Sequence, residues 1–266
     1  MEEWALVDPV PSGANAMGDD VIKVAVFGAN GRMGTEVCRA VQRVQGLQLV
    51  AAVDAGDPHD EAEGCDVVVD FTHPDAVMEN IKWCIDHDVH SVVGTTGFTQ
   101  ERIEQVREWL ATKPELGCVI ASNFSIGAVL MMHFAELAAG YYPSVEVIEL
   151  HHTDKADAPS GTAGSTVERI AAARERAELG EVPDATLQDP EGARGAVVDG
   201  IHVHSVRLQG LTAHQEVLFG APGETLTIRH DSTDRTSFMP GVVKAVQDVP
   251  EHPGLTLGIE RILGIE

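Results

Sequence analysis

Residues 21–34 read VIKVAVFGANGRMG and decide the fold. The first seven of them predict a buried strand, and apolar residues beyond the stretch recur at the spacing of a helix. Between the two lies the pattern GxxGxxG at 28–34. A glycine-rich turn that joins a buried strand to a helix is typical of dinucleotide-binding βαβ units.

The rest of the first half continues this alternation of strands and helices. Apolar runs predict strands at 47–53, 66–71, 90–94 and 117–121, and helical patterns lie at about 33–44, 74–87 and 99–112. Strands that alternate with helices predict an α/β fold with a Rossmann-type, doubly wound parallel sheet.

The pattern changes after Asn123. A helix is predicted at 125–139, a strand at 144–150 and a helix after Ser160, whereas residues 196–230 contain extended runs separated by turn signals, which favour antiparallel strands. We expect a dinucleotide-binding domain at 21–123 and a smaller α+β domain for substrate binding and oligomerisation at 124–233. A helical pattern at 234–248 suggests that 234–266 returns to the first domain. Residues 1–20 are predicted to be a flexible extension.

Composition excludes several classes of protein. The 266 residues carry a net charge of −24, which argues against binding to nucleic acid or an anionic membrane. No apolar run approaches the roughly 18 residues of a membrane-spanning helix, and no signal peptide is evident, so a cytoplasmic location is expected. The four cysteines show no CxxC pair, which predicts packed thiols rather than disulfides or a zinc site.

The glycine turn is a candidate site for the pyrophosphate of NADH or NADPH. Glycines let the backbone approach the phosphates, and the free N–H groups and dipole of the helix start attract an anion. The guanidinium of Arg32, within this turn, can add a contact to phosphate. An ordinary glycine-rich turn is the structural alternative. The candidate cofactor residues are Gly28, Ala29, Asn30, Gly31, Arg32 and Met33.

Asp54 ends the second predicted strand, where dinucleotide-binding folds usually place an acidic residue on the adenosine ribose. Its carboxylate should repel the 2′-phosphate of NADPH, and the following Ala55 supplies no cation. The alternative is an aspartate that merely caps a turn.

Two loops follow predicted strands at the carboxyl edge of the sheet, where ligands bind in such folds. The small residues Gly94, Thr95 and Thr96 predict a cofactor wall in one of them. In the other, His73 is as well explained by a helix start as by a ligand contact.

The segment from His151 to Thr162 concentrates reactive side chains at a strand end. Histidine exchanges protons near neutrality and Lys155 can donate a proton or hold an anion, which makes His151 and Lys155 candidate catalytic residues. Because adjacent side chains of an extended segment point in opposite directions, at most one of His151 and His152 is expected to face the reacting atom.

A helix start follows, with Ser160 or Thr162 as its cap, and its unpaired N–H groups form an anion receptor suited to a carboxylated substrate. A polar surface loop before a capped helix explains these residues equally well. No metal site is expected, because no carboxylate or third histidine lies at a familiar ligand spacing.

Five motifs in this order resemble the dihydrodipicolinate reductase family, from about Val21 to the C-terminus. They are Gly28–Gly34, Asp70–Pro74, Gly94–Phe98, Ser122–Gly127, and Glu149–His152 continued by Lys155–Ala163.

The resemblance implies hydride transfer from NADH or NADPH to the dehydrated cyclic imine formed from hydroxy-tetrahydrodipicolinate, in diaminopimelate and lysine biosynthesis. His151 would be the proton donor and acceptor and Lys155 a proton donor. It also implies an open mixed sheet in the second domain and a homotetramer. The residues implied for the dicarboxylate substrate are His152, Ser160, Gly161 and Thr162, and those added to the cofactor site are Ala121, Ser122, Asn123 and Phe124.

One departure concerns the cofactor. Some members carry Arg after the acidic ribose residue, whereas this chain has Ala55. We therefore expect NADH to serve at least as well as NADPH. Two alternatives remain: another two-domain enzyme, such as an aspartate or homoserine dehydrogenase, and a non-catalytic dinucleotide sensor, which would not need His151 and Lys155.

Overall fold

A computed structural model describes residues 21–265 and contains two β-sheets. The first half alternates between strands and helices. Its elements are β1 (Ile22–Phe27), α1 (Arg32–Arg43), β2 (Leu47–Val53), β3 (Val67–Asp70), α2 (Val77–Asp86), β4 (His90–Val93), α3 (Gln100–Leu110) and β5 (Gly117–Ile120).

The second half is richer in antiparallel strands. Its elements are α4 (Ile126–Ala139), β6 (Ser144–His151), α5 (Gly161–Arg176), β7 (Ala196–Val198), β8 (Ile201–Arg207), β9 (Ala213–Ala221), β10 (Glu224–Ser232), α6 (Met239–Asp248), β11 (Gly254–Leu257) and α7 (Glu260–Leu263).

The first sheet has the order β11-β5-β4-β3-β1-β2, and its strands pair in parallel throughout. Strands β3 and β5 are fully buried, as expected where helices cover both faces of a parallel sheet. The strand order reverses beside β1, so the glycine turn that follows β1 lies at the switch point where such sheets bind ligands. The predicted Rossmann-type fold is confirmed.

The second sheet is mixed and has the order β10-β9-β6-β8-β7. Strands β6 and β8 pair in parallel, and the other neighbours are antiparallel. Burial alternates along β6: Val145, Val147 and Glu149 face the core beneath α4 and α5, whereas Ile148 and Leu150 on the other face are only partly buried. The predicted open mixed sheet is therefore confirmed.

The C-terminal segment corrects one expectation. A 3₁₀ turn occupies Arg235–Phe238 and the helix begins only at Met239. Strand β11, which was not predicted, then pairs in parallel with β5 and extends the first sheet. Residues of α6 and α7 pack in the same core as β1 and α1, so this segment joins the first sheet through both helices and a strand.

The boundaries at 123 and 233 remain a proposal about independent domains, and the predicted extension at 1–20 lies outside the described residues. All four cysteines are free thiols. None of the helices between residues 21 and 265 combines the length and apolar character that crossing a membrane requires.

Candidate functional site

The glycine turn after β1 is packed so closely that side chains would not fit. Gly28 has a φ of +77°, a conformation that favours glycine. A Cβ on Gly28 would overlap the carbonyl oxygen of Phe71, and one on Gly34 would overlap the carbonyl oxygen of Gly28. Helix α1 begins after Gly31 without a side-chain cap, so its start is open to an anion.

Asp54 accepts a hydrogen bond from the glycine turn and lines the adjoining cavity. Its carboxylate accepts hydrogen bonds from the backbone N–H of Asn30 at 2.6 Å and of Ala55 at 2.7 Å. The bonds from Ala55 and then Asn30 hold its pKa below the usual value. Asp54 also lines a cavity of about 490 Å³ with Gly28, Gly31 and His73. Asp54 therefore caps a turn and also lies where a residue that binds the adenosine ribose is expected.

The remaining residues of the turn differ in exposure. Arg32 is exposed at the start of α1, Ala29 is buried, and Met33 packs partly against the core. Arg32 is thus the cation of this turn that can reach a phosphate.

A buried carboxylate that was not predicted holds two edge loops together. Asp70, at the end of β3, is 1% exposed. It accepts hydrogen bonds from the side chains of Thr72 at 2.8 Å, Asn80 at 2.6 Å and Thr95 at 2.6 Å. Asp70 lies within a motif identified above, but sequence alone assigned it no partner.

The residues of the predicted wall at 94–96 also have roles within the protein. A Cβ on Gly94 would overlap the ring of Phe71, so this glycine allows close packing beside the proposed cofactor contact. Thr95 is buried and its hydroxyl is bonded to Asp70. Thr96 is exposed and lines a cleft of about 1060 Å³ between the edge of the first sheet and helices α4 and α5.

The crossover between the sheets contributes to the same cleft. Ser122 and Asn123 line it, whereas the side chains of Ala121 and Phe124 are buried and leave mainly backbone for a ligand. The Asn123 amide donates a hydrogen bond to the Thr162 hydroxyl at 3.3 Å. Candidate cofactor and substrate residues therefore meet directly at this point.

His151 occupies the last position of β6. Its Nδ1 lies 2.5 Å from Oε2 of Glu149, whose side chain is fully buried. Burial lowers the pKa of His151, hydrogen bonding to Glu149 opposes this, and the charges of Lys155 and Arg207 add to the lowering. His151 lines a small cavity of about 30 Å³ together with Asn123 and Thr162.

His152 and Lys155 lie on the loop that follows β6, and neither is among the described residues that line this small cavity. The Lys155 ammonium is 2.7 Å from a carboxylate oxygen of Asp157, and this contact is the main cause that lowers the pKa of Asp157. The backbone N–H of Lys155 donates to the carbonyl of His152 at 3.3 Å. In this structure Lys155 is thus paired within its own loop.

The start of α5 has the geometry of an anion receptor. The hydroxyl of buried Ser160 accepts a hydrogen bond from the backbone N–H of Ala163 at 3.2 Å and caps the helix. Gly161 is exposed, and a Cβ there would have open space around it. Ser160 therefore orients the helix start, while Gly161 and Thr162 offer its accessible surface.

Sequence reasoning missed four polar residues of the second sheet that complete the small cavity: His214, Gln215, His230 and Ser232. Gln215 is 4% exposed, and its amide nitrogen donates to the Thr166 hydroxyl at 2.7 Å. Within residues 21–265 its side-chain oxygen has no hydrogen-bond partner. Gln215 and His230 are polar residues at core-facing strand positions, which was the available signal, whereas the neighbouring His214 lies on the other face. No cluster of three or more potential metal ligands occurs in this same part of the chain.

Two family models match nearly all of the described chain. "Dihydrodipicolinate reductase, N-terminus" covers residues 22–124, and "Dihydrodipicolinate reductase, C-terminus" covers 127–263. The 4-hydroxy-tetrahydrodipicolinate reductase of Cutibacterium acnes is 65% identical over 92% of this chain and 100% of its own length. That of Nocardia farcinica is 58% identical over 92% of this chain and 99% of its own.

Solved structures agree with this assignment. The dipicolinate-bound dihydrodipicolinate reductase from Paenisporosarcina sp. TG-14 superposes with a TM-score of 0.80 at 42% identity, covering 91% of this chain and 99% of that one. An apo scyllo-inositol dehydrogenase from Lactobacillus casei, 13% identical with a TM-score of 0.58 over 93% of each chain, shares only the fold. The chain therefore belongs to the dihydrodipicolinate reductase family of oxidoreductases.

Proposed function

We propose that this protein is a 4-hydroxy-tetrahydrodipicolinate reductase, which reduces the dehydrated cyclic imine to tetrahydrodipicolinate in diaminopimelate and lysine biosynthesis. The observation that carries this proposal is the meeting of Asn123, from the crossover beside the first sheet, with His151 and Thr162 around one cavity. Asn123 belongs to the proposed cofactor site, whereas His151 and Thr162 belong to the proposed substrate site. The cavity is therefore where the two proposed sites meet.

The residues of the first sheet fit a nicotinamide dinucleotide. The turn at 28–34 packs too closely against protein backbone to hold a Cβ at Gly28 or Gly34, and the uncapped start of α1 suits the pyrophosphate. Asp54 has lone pairs left for the ribose hydroxyls. When bound, the cofactor supplies the hydride; Thr96, Ser122 and Asn123 are proposed to line its nicotinamide end, with backbone of 94–95, 121 and 124.

The substrate is proposed to be a small dicarboxylate held at the start of α5. The dihydrodipicolinate reductase from Paenisporosarcina sp. TG-14 has dipicolinate bound, and its chain is 42% identical to this one. The amides of Gly161 and Thr162 and the positive end of α5 offer a local anion site in a protein whose net charge is −24. His152 and Lys155 would approach the carboxylates from the loop.

His151 is proposed to exchange the proton that accompanies reduction. Its Nδ1 is bonded to Glu149, so Nε2 is the nitrogen left for the substrate. Lys155 is proposed to donate the proton with which the substrate's hydroxyl leaves as water before the hydride is transferred. Because the Lys155 ammonium pairs with Asp157, we infer that substrate binding exchanges this partner for a substrate carboxylate.

Two finer properties belong to the proposal. NADH is expected to serve at least as well as NADPH, because Asp54 and Asp57 line the ribose end of the cavity and Ala55 adds no cation. A cytoplasmic homotetramer is expected, assembled through the open face of the second sheet, where Ile148, Leu150 and Leu218 are only partly buried.

The test is oxidation of NADH, followed by absorbance, with the product of the preceding synthase generated freshly in the cuvette. Turnover of this substrate, and not of aspartate semialdehyde, supports the proposal and excludes the homoserine dehydrogenase alternative. A folded protein that binds NADH without turnover would instead be a dinucleotide sensor.

A further inference from the structure

Glu149 is a carboxylate buried under the candidate catalytic histidine. It lies two residues before His151 on β6, and its side chain is fully inaccessible to solvent. Residues at this spacing share one face of a strand, so the carboxylate reaches the Nδ1 of His151 directly. Burying an ionised carboxylate is costly unless several donors surround it. The groups that donate hydrogen bonds to Glu149 therefore explain how a carboxylate is stabilised at this buried position.

Arg207 is the main partner. It lies opposite His151 in the parallel pairing of β6 with β8 and reaches across to Glu149. Its two terminal nitrogens donate to the two carboxylate oxygens at 2.8 and 2.9 Å, in the bidentate geometry that arginine favours. One of them also donates to the carbonyl of Asp157 at 2.6 Å. The guanidinium thus connects the buried carboxylate to the loop that carries Lys155.

These contacts keep the Glu149 carboxylate ionised. Burial raises the pKa of Glu149, but hydrogen bonds from Arg207, Ser205 and His151 outweigh it and hold the pKa below its usual value. An ionised carboxylate can only accept hydrogen bonds. The nitrogen of His151 that faces it must therefore carry a proton, which leaves Nε2 as the nitrogen whose protonation changes.

We propose that Glu149 is a positioning residue that sets the Nδ1-protonated tautomer and the ring orientation of His151, and that Arg207 couples this pair to the loop at 152–160. The proposal rests on the proposed function in so far as His151 is catalytic. The prediction about its tautomer stands on the geometry alone.

The charged groups that surround His151 determine what removal of Glu149 does. Arg207 and Lys155 carry positive charge and disfavour the imidazolium, and His214 and His230 line the same small cavity. Glu149 supplies the opposing negative charge. Without it, burial and the two cations act alone, so the pKa of His151 falls further.

The first test uses the wild-type protein with histidine labelled by ¹⁵N, in which nitrogen–carbon-proton correlations report which ring nitrogen carries the proton. The signal of His151 is assigned by its loss in His151→Ala. We expect the neutral ring to be protonated at Nδ1. A ring protonated at Nε2 would overturn the proposal, whatever the enzyme's activity proves to be.

The second test is the Glu149→Gln variant, compared with Glu146→Gln. Glu146 lies on the same strand and also pairs with an arginine and a histidine, Arg194 and His204, but on the opposite face. In E149Q we expect kcat to fall by about 10- to 100-fold, the pH-rate limb of His151 to move to lower pH, and the Kd for NADH to stay within about twofold.

E146Q should behave like the wild type in all three measurements. Circular dichroism verifies that E149Q is folded, and Glu149→Asp should restore part of kcat if the carboxylate is what matters. An E149Q enzyme with an unshifted pH profile and an unchanged His151 tautomer would contradict the proposal. If the imine is not turned over at all while His151 is protonated at Nδ1, the proposed function fails and the positioning inference survives.

Discussion

At the residue scale, His151 and its neighbour His152 differ in what surrounds them. His151 contacts a buried carboxylate and lines the cavity shared with Asn123 and Thr162, whereas His152 lies on the loop beyond the strand. The environments therefore differ in the way expected of adjacent residues, of which at most one was predicted to face the reacting atom. Lys155 lies on the loop that also carries His152. It is not among the described residues that line the cavity beside the glycine turn.

The roles of His151 and Lys155 can be separated from cofactor binding. We expect His151→Ala and Lys155→Ala to lower kcat by about 10²- to 10⁴-fold, the range of general acid–base catalysis. The Kd for NADH should be almost unchanged, because neither residue lines the cavity beside Asp54. Steady-state kinetics and NADH fluorescence titration measure the two effects.

A suitable control is Lys113→Ala, which removes a lysine that pairs with Asp88 far from the cleft. It should alter neither quantity. Equal losses in kcat and in NADH affinity for the two site variants would mean that both residues had been assigned to the wrong half of the site.

Cofactor choice is expected to depend on Ala55. The wild type should use NADH at least as efficiently as NADPH, and Ala55→Arg should shift the ratio of kcat/KM toward NADPH by at least about tenfold, or ~1.4 kcal/mol in transition-state binding. The matched control is Ala52→Arg, at an exposed position of β2. A wild-type enzyme that prefers NADPH by tenfold would contradict the role given to Asp54.

Residues whose chemistry is evident from type and order could be predicted: the glycine turn, Asp54 and the segment from His151 to Thr162. Partners distant along the chain could not. Arg207 reaches Glu149 only because β8 pairs in parallel with β6, and Asp70 gathers hydroxyls from two separate loops. Such contacts depend on strand order and register, which periodicity does not specify.

At the element scale, the connection between β1 and α1 is the most constrained part of the cofactor half. Gly34 lies in the first turn of α1 against the backbone of Gly28. The helix can approach the strand this closely only because position 34 has no side chain. The same close approach brings the helix start to the phosphates.

Gly34→Ala should therefore destabilise the protein by about 1–3 kcal/mol, the usual cost of overpacking, and weaken NADH binding. Gly164→Ala is the control, since this glycine lies within α5 and a Cβ there has open space around it. That change should stabilise the helix by about 1 kcal/mol. Urea unfolding measures both, and a Gly34→Ala protein as stable as the wild type would contradict the close packing.

Most elements followed from periodicity, because long amphipathic helices and buried strands leave clear patterns. Strand β11 did not, although it is as long as β3, β4 and β5: those strands are buried, mainly apolar runs, whereas the one buried residue of β11 is the polar Thr256. Its place beside β5 is determined by the packing of α6 and α7 into the core of the first sheet.

At the scale of the whole molecule, a cleft lies between the carboxyl edge of the first sheet and helices α4 and α5. Arg169 of α5 forms ion pairs with Glu260, beside β11, and with Glu136 of α4. The cleft therefore has contributions from both halves of the chain, and a ligand that spans it would contact both.

The open face of the second sheet gives a prediction about assembly. Light scattering coupled to size exclusion should show a tetramer for the wild type. Ile148→Lys, which places a charge on that face, should yield smaller species, whereas Val50→Lys, at an exposed position of β2, should remain tetrameric. A wild-type monomer, or an Ile148→Lys tetramer of unchanged stability, would contradict assembly through this face.

The central claim is that the cofactor's hydride passes to the imine bound beside His151. The most direct measurement uses NADH carrying deuterium at the transferred position, with the substrate generated in place and the product analysed by mass spectrometry. We expect the wild type to form tetrahydrodipicolinate that contains a single deuterium. This product should be nearly absent with His151→Ala. NADH bound without turnover, or consumed without deuterium appearing in this product, would contradict it.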